Sequence, residues 1–191
     1  MPQSDHDRLL ALLAERSARR GHFTLASGRQ STLYIDARLT TMSPDGLALI
    51  GPLALAAILQ SSWAVTAVGG LTLGADPVTY AIAYASALQG RPLRAFTVRK
   101  EAKQHGTGRL IEGPFREGDR VAVIEDVITT GGSALRAAEA IRSAGGVVAG
   151  VLALVDREEG GREALEAAGL AVISLTRASE IVRGLPEDSG T

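Results

Sequence analysis

The segment spanning residues 120–146 constrains the fold more than any other stretch of the chain. It begins with an apolar run, residues 121–124, that is typical of a buried strand. A short loop rich in threonine and glycine follows. From residue 134 to residue 143 apolar residues recur at helical spacing, and the two glycines that come next end the helix. We therefore expect a strand, a loop and a helix, with the loop at the edge where open α/β sheets bind ligands.

Two adjacent acids, Glu125 and Asp126, follow this predicted strand. They would repel a phosphate that faced them, but they suit a hydroxyl-rich group such as a ribose. The loop after them favours an anion, because glycines expose backbone N–H groups, hydroxyls donate hydrogen bonds and the helix N-terminus is partly positive. Its residues are Val127, Ile128, Thr129, Thr130, Gly131, Gly132 and Ser133. The pattern predicts a sugar-phosphate site, and the alternative is a simple glycine turn beside two solvated acids.

The rest of the chain alternates between strand and helix patterns, which predicts a mostly parallel sheet with helices on both faces. Ser4 and Ser43 are expected to cap two N-terminal helices, with two short strands and a Ser27-Gly28 turn between them. We predict further strands at 64–68, 93–98, 120–125, 147–155 and 171–175, and helices at 76–88, 134–143 and 161–168. The length of 191 residues fits one domain. It would comprise a helix and hood at 1–62, a core at 63–176 and a terminal segment at 177–191.

Composition narrows the function classes. The net charge of -1 gives no basic field for nucleic acid, and the absence of cysteine excludes disulfides and a cysteine nucleophile. The first residues lack the basic and apolar regions of a signal peptide, and the longest apolar stretch, near residues 50–59, is too short to span a bilayer. We therefore expect a cytoplasmic protein that acts on small molecules, without nucleic-acid or membrane partners.

A basic loop is predicted at residues 99–109. Of the 20 lysine and arginine residues only two are lysines, Lys100 and Lys103, and both lie in this loop with Arg99 and His105. Glycines at 106 and 108 would make the loop mobile. Beside a phosphate site it suggests a lid over a polyphosphate, whereas a solvated run of charges is the common alternative.

Several motifs resemble those of known enzymes. Residues 120–133 resemble the motif with which type I phosphoribosyltransferases bind 5-phosphoribosyl 1-pyrophosphate (PRPP). The sequence Arg-Lys-Glu-Ala-Lys-x-His-Gly from residue 99 resembles the catalytic loop of the orotate phosphoribosyltransferase family. The segments at 23–29 and 34–36 resemble its N-terminal signature, 69–77 its pyrophosphate loop, and Asp156-Arg157 its Asp-Arg pair at a strand end.

This resemblance implies a type I phosphoribosyltransferase fold with a small N-terminal hood. It implies a pentosyltransferase of pyrimidine biosynthesis that moves ribose 5-phosphate from PRPP to N1 of orotate, giving orotidine 5′-monophosphate and pyrophosphate. Implied catalytic residues are Lys103, Lys100, Arg99, His105 and Asp126, and implied PRPP contacts are the same four cations with residues 125–133. Implied orotate contacts are Ser27, Tyr34, Thr129 and Arg157. Mg²⁺ would be held mainly through PRPP and water without a direct protein ligand, and a homodimer would share its lid loops between sites.

The chain departs from the family at two positions. Many relatives carry lysine in place of Ala26, and some carry it in place of Leu73; Arg38 is a candidate replacement for the missing cation. Tyr34 could stack on the pyrimidine or simply pack in its strand, and both interpretations stay open. Two other functions also stay open: a phosphoribosyltransferase for a purine or another base, and a regulator that binds PRPP without turnover. A dinucleotide-binding domain is disfavoured, because no Gly-x-Gly-x-x-Gly follows a first strand.

Overall fold

The computed structural model describes residues 3–24, 30–101 and 110–185. In chain order the elements are α1 (Asp5–Leu12, continued by a π-helical turn, Leu13–Ser17), β1 (Ala18–Thr24), β2 (Gln30–Ile35), α2 (Arg38–Thr41), α3 (Pro44–Gln60), β3 (Ala67–Leu71), α4 (Ala75–Leu88), β4 (Arg94–Val98), β5 (Ile111–Glu112), β6 (Arg120–Ile128), α5 (Gly132–Ser143), β7 (Val147–Asp156), α6 (Gly161–Ala167), β8 (Val172–Arg177) and α7 (Ala178–Arg183). Within these ranges, no helix combines the length and the apolar character that crossing a membrane requires.

The central sheet has six strands in the order β5-β4-β3-β6-β7-β8. Every pair is parallel except β4 with β5, and β1 and β2 form a separate antiparallel hairpin. The predicted α/β class with a mostly parallel sheet is therefore confirmed. Because the parallel strands share a direction, the loops that follow β3, β4, β6 and β7 meet at one edge of the sheet.

Both faces of the sheet are buried, as the apolar run in β6 predicts. Val121 and Val123 belong to the core formed with α5 and α6, whereas Ala122 and Ile124 belong to the core formed with α1, α3 and α4. This alternation follows from the two-residue period of a strand. The same alternation places the next two side chains on opposite faces of the sheet: Glu125 lies on the side of α5, and Asp126 lies on the side of α4.

Several predicted boundaries are wrong. Strand β3 begins and ends three residues later than expected, so Gly69 and Gly70 lie inside it; the Phe96 ring and the Ile124 carbonyl leave no room there for a Cβ atom. Strand β6 continues to Ile128 instead of ending at Glu125, so Asp126 also lies within the strand. Elements α2, β5 and α7 were not predicted, because they are too short to show a clear period.

The caps at the N-terminal helices agree with the prediction. The Ser4 hydroxyl accepts a hydrogen bond from the Asp7 N–H at 3.1 Å, and the Asp7 carboxylate accepts one from the Ser4 N–H at 3.3 Å, which completes a capping box at α1. Ser43 caps α3, and Pro44 occupies its first turn. The predicted Ser27-Gly28 turn lies outside the described residues.

Candidate active site

A polar cavity of about 370 Å³ lies at the edge of the sheet where the parallel strands end. Its walls come from the ends of β2, β3, β6 and β7, from the segment after β4 and from the first turns of α5. The lining residues are Tyr34, Ile35, Asp36, Ala37, Arg38, Leu71, Thr72, Leu73, Gly74, Lys100, Glu125, Asp126, Val127, Thr129, Ser133, Arg136 and Arg157. Residues far apart in sequence, all predicted for one site, thus share one cavity: Tyr34, Lys100, the acids, three residues of the threonine-glycine loop, and Arg157.

Other predicted residues lie near this cavity without lining it. The Ile128 side chain is 1% exposed and belongs to the core, while its carbonyl accepts a hydrogen bond from the Arg157 N–H at 2.9 Å. Thr130, Gly131 and Gly132 form the turn into α5, where their backbone N–H groups can serve a ligand. Arg99 stands at the start of the basic loop, and its guanidinium lies 3.6 Å from the Glu112 carboxylate. Ser27, Lys103 and His105 lie outside the described residues.

The threonine-glycine loop has the geometry of an anion site. Gly131 adopts a left-handed φ of 80°, and a Cβ atom there would lie 3.0 Å from the Gly161 carbonyl oxygen. Glycine is therefore required on both conformational and steric grounds. Helix α5 starts at the next residue and, among the described residues, no side chain caps it. Its first N–H groups and the hydroxyls of Thr129 and Ser133 are free to bind a phosphate.

Asp126 approaches the cavity from β6. Its Oδ1 accepts a hydrogen bond from the Val127 N–H at 2.9 Å, and the side chain is half-buried. A Cβ atom on Gly74 would overlap this carboxylate, so glycine at that position lets the segment before α4 close onto Asp126. This contact brings the loop after β3 and the end of β6 into one wall.

Glu125 lies on the opposite face of β6 and is 7% exposed. Burial, followed by the nearby Asp126 charge, raises the pKa of Glu125 to about 9, although Arg136 acts in the other direction. Within the described residues its Oε2 atom has no hydrogen-bond partner. At neutral pH Glu125 is therefore a protonated acid that can donate a hydrogen bond, and not the second carboxylate expected from the sequence.

Glu125→Gln is expected to stabilise the fold. Because the folded pKa of about 9 exceeds the unfolded value of 4.5, Glu125 supports folding fully below pH 4.5 and loses that contribution as the pH rises toward 9. At pH 7 the raised pKa of Glu125 therefore lowers the free energy of unfolding by about 3 kcal/mol. We expect Glu125→Gln to raise the unfolding temperature by roughly 5–10 °C at pH 7. The unfolding temperature of the variant should also fall less steeply than that of the wild type as the pH rises to 9. Glu139→Gln, an exposed change on α5, is the control; parallel thermal profiles of Glu125→Gln and the wild type would contradict the assignment.

Arg157 and Tyr34 form another part of the wall. The Arg157 side chain is 5% exposed and bonds to Glu159 at 2.6 Å and to the Leu33 carbonyl at 3.0 Å. Tyr34 is 42% exposed, and its ring centroid lies 5.4 Å from that of Phe23. Tyr34 thus packs within the hairpin and also presents an accessible ring to the cavity, so a stacking role stays a prediction.

The departures from the family pattern also lie on this wall. Arg38 is present as a candidate cation, but its guanidinium is bound to Asp36 at 2.8 and 2.9 Å, a pairing that lowers the pKa of Asp36. Leu73 is 54% exposed at the cavity. Ala26 lies outside the described residues.

Arg136 also lines the cavity, although it was not predicted as a site residue. It lies three residues after Ser133 on α5, and helical side chains lean toward the N-terminus, which brings Arg136 back toward the cavity. Among the described residues its guanidinium has no ion-pair or hydrogen-bond partner. The i, i+3 spacing from a loop serine was the available signal, but it is equally common on exposed helix faces.

Comparisons with known proteins agree with this geometry. The chain is 46% identical over 185 residues to an orotate phosphoribosyltransferase of Sorangium cellulosum, covering 96% of each protein. It is 45% identical to that of Aquifex aeolicus, covering 93% of this chain and 98% of the relative. The crystal structure of Mycobacterium tuberculosis orotate phosphoribosyltransferase in complex with PRPP superposes with a TM-score of 0.78 at 43% identity, covering 94% of this chain and 99% of that one.

No protein-family model matches the chain. The relatives nevertheless exceed 40% identity over more than 90% of the chain. The predicted fold and family are both confirmed: the chain belongs to the orotate phosphoribosyltransferase family.

Proposed function

We propose that the chain transfers ribose 5-phosphate from PRPP to N1 of orotate, releasing orotidine 5′-monophosphate and pyrophosphate. The observation that carries this proposal is the shared cavity, in which an anion-binding loop, a ribose-facing acid and a buried arginine converge. The M. tuberculosis relative, whose structure contains PRPP, supports the choice of donor. A family member at this identity supports the choice of acceptor.

PRPP would bind along β6 and the start of α5. The N–H groups of α5 with Thr129 and Ser133 would bind the 5-phosphate, and Asp126 would accept hydrogen bonds from the ribose hydroxyls. Glu125, protonated and buried beneath the same loop, would donate to an oxygen atom of the substrate. This division of roles follows from the opposite directions of the two acids on one strand.

Orotate would bind between Tyr34 and Arg157. The Arg157 guanidinium would pair with the orotate carboxylate, and Thr129 and Ser27 would contact polar atoms of the ring. Glu159 remains as an anionic partner of Arg157 in every complex, but an acceptor without the carboxylate would leave the other N–H donors of this buried guanidinium without an acceptor. Buried donors without an acceptor are costly, so this site would discriminate against such a base.

Cations would stabilise the leaving group. As the bond to pyrophosphate breaks, negative charge accumulates on its oxygens and positive charge on the ribose ring, so groups that bind pyrophosphate lower the barrier most. Lys100 on the cavity wall is the candidate from the same chain. Arg99, Lys103 and His105 are the candidates from a lid.

Mg²⁺ fits this arrangement as an ion bound mainly through the substrate. Among the described residues, no three His, Asp or Glu side chains are grouped to hold a metal. An ion that keeps several waters and binds through substrate phosphates needs no such group. When bound, it would offset charge on pyrophosphate while Asp126 orients the ribose hydroxyls.

A homodimer would complete the site. An apolar groove of about 650 Å³ runs between α3 and α4, and its rim includes Tyr84 and Leu88, which are 70% and 71% exposed. Tyr80 in the same groove bonds through its hydroxyl to the Thr97 hydroxyl at 2.6 Å, two residues before Arg99. A second copy docked on this groove would therefore lie beside the start of the basic loop. Arg99, which does not line the cavity of its own chain, would then be a candidate for the neighbouring one.

This shared site predicts complementation between inactive variants. If Lys103 acts on the neighbouring subunit, mixing Lys103→Ala with Asp126→Asn gives mixed dimers that have one intact site and one doubly altered site. Random pairing of equal amounts restores about a quarter of all sites. Initial rates before and after subunit exchange measure the recovery, with each variant alone as control. If Lys103 acts within its own subunit, the rate stays at the sum of the two variants once exchange has been verified.

The reaction itself is tested by the absorbance of orotate. We expect orotate to be consumed only when PRPP and Mg²⁺ are both present, and to reappear when pyrophosphate and orotidine 5′-monophosphate are supplied instead. A folded protein that binds PRPP but leaves orotate unchanged would support the regulator alternative and contradict the proposal.

A further inference from the structure

The Arg157 guanidinium is hydrogen-bonded through one of its three nitrogen atoms. Strand β7 ends at Asp156, and Arg157 follows it directly. The Arg157 Nη2 atom donates to three acceptors: Glu159 Oε1 at 2.6 Å, the Leu33 carbonyl at 3.0 Å and the Ser31 hydroxyl at 3.3 Å. The Nε atom is buried and, within the described part of the chain, unpartnered. Within the described residues, the hydrogen bonds of the Arg157 side chain therefore all use Nη2, which leaves Nη1 for a ligand in the cavity.

The position of Glu159 is set by the turn that carries it. Glu158 adopts a left-handed φ of 58°, and its N–H donates to Asp156 Oδ1 at 2.8 Å. The Glu158 carboxylate accepts from the Ser179 N–H at 2.8 Å, and Arg162 donates to Asp156 Oδ2 at 2.8 Å. These bonds tie the turn to α6 and α7. The carboxylate of Glu159 is consequently presented to Arg157 by a fixed backbone.

Glu159 does not line the central cavity. It borders a separate polar cavity of about 360 Å³ together with His22, Gln30, Ser31 and Thr32 of the hairpin. Its side chain is 16% exposed. Among the described residues, its bond to Arg157 is what connects Glu159 to the central cavity.

We propose that Glu159 is a positioning residue for acceptor recognition: it fixes the Arg157 guanidinium so that its Nη1 group meets a carboxylate on the base. An arginine has many rotamers, and holding one in advance removes an ordering cost that the ligand would otherwise bear. The Leu33 carbonyl bound to the same Nη2 atom precedes Tyr34, so the contact also fixes the strand that carries the aromatic ring. The inference rests on the proposed function, in which Arg157 binds the orotate carboxylate.

Three variants separate positioning from charge. Glu159→Gln keeps an acceptor at the same reach, whereas Glu159→Asp keeps the charge but is one methylene too short, and Glu159→Ala removes both. We expect the KM for orotate to rise about 10- to 100-fold in the alanine and aspartate variants and less than about threefold in the glutamine variant. The KM for PRPP should stay within about twofold throughout. The positioning role would be overturned if the KM for orotate stayed near the wild-type value in Glu159→Asp but rose in Glu159→Gln. It would also be overturned if the KM for orotate and the KM for PRPP rose equally.

A second readout does not depend on turnover. The side-chain Nε–H signal of Arg157 in ¹⁵N spectra, assigned by its loss in Arg157→Lys, should be sharp in the wild type and the glutamine variant and exchange-broadened in the aspartate variant. If the wild type fails to bind orotate, the proposed function fails, yet this signal still reports on Glu159. An Arg157 signal unchanged in all folded variants would overturn the inference.

Discussion

Asp126→Asn is expected to lower kcat/KM by about 10²- to 10³-fold while the fold is retained. The carboxylate lies half-buried at the cavity wall, against the backbone of Gly74 and bonded to the Val127 N–H at 2.9 Å. Asparagine can keep this hydrogen bond through its Oδ1 atom, so the local structure should persist. It cannot supply the negative charge that orients the ribose hydroxyls and favours a ring that becomes positive in the transition state.

Steady-state kinetics in orotate and PRPP measure this loss, and circular dichroism with thermal unfolding verifies the fold. Asp5→Asn on α1 is the matched control, because Asp5 is an exposed carboxylate outside the cavity. Its kinetic constants should equal those of the wild type. A folded Asp126→Asn protein with full activity would remove the ribose-site assignment.

Arg157→Gln is expected to reduce kcat/KM for orotate by roughly 10²- to 10³-fold, equivalent to about 3–4 kcal/mol. The guanidinium is 5% exposed, so the orotate carboxylate would be left without a cation in a site shielded from water. Binding of PRPP should change little, because the phosphate loop and Asp126 are untouched. The variant should therefore lose kcat/KM for orotate while its affinity for PRPP stays close to that of the wild type.

The same variant loses the bonds from Arg157 to the hairpin, so a matched change is needed. Ser31→Ala removes one of those bonds, at 3.3 Å, and keeps the guanidinium. It should retain orotate affinity within about threefold. If the two variants lose orotate affinity equally, or if Arg157→Gln lowers PRPP affinity as strongly as that of orotate, Arg157 supports the hairpin and does not bind the carboxylate.

The sheet was predictable because its signals are local and strong. The apolar run in β6, the glycine-rich turn and the period of α5 each follow from neighbouring residues. The position of β3 was not predictable, since its two glycines mimic a loop and only the packed Phe96 ring and the Ile124 carbonyl explain them. Such explanations require contacts between segments distant in sequence.

The site was predictable where a motif names residue types, as for Asp126, Thr129 and Arg157. The protonation of Glu125 was not, because it depends on burial under α5 that no adjacent residue reveals. The same holds for Glu159, which is separated from the cavity by Arg157 and whose role depends on a turn geometry. Sequence patterns identify side chains that touch a ligand better than those that hold them in place.

A competition among bases tests the central claim most directly. Equal concentrations of orotate, uracil, adenine and hypoxanthine are mixed with PRPP, Mg²⁺ and the protein, and the nucleotide products are separated and identified by mass. Uracil is the decisive competitor, since it is orotate without the carboxylate that Arg157 would bind. We predict that orotidine 5′-monophosphate forms in at least about 10³-fold excess over every other nucleotide. Uridine 5′-monophosphate or a purine nucleotide formed at a comparable rate would contradict the assignment of the cavity.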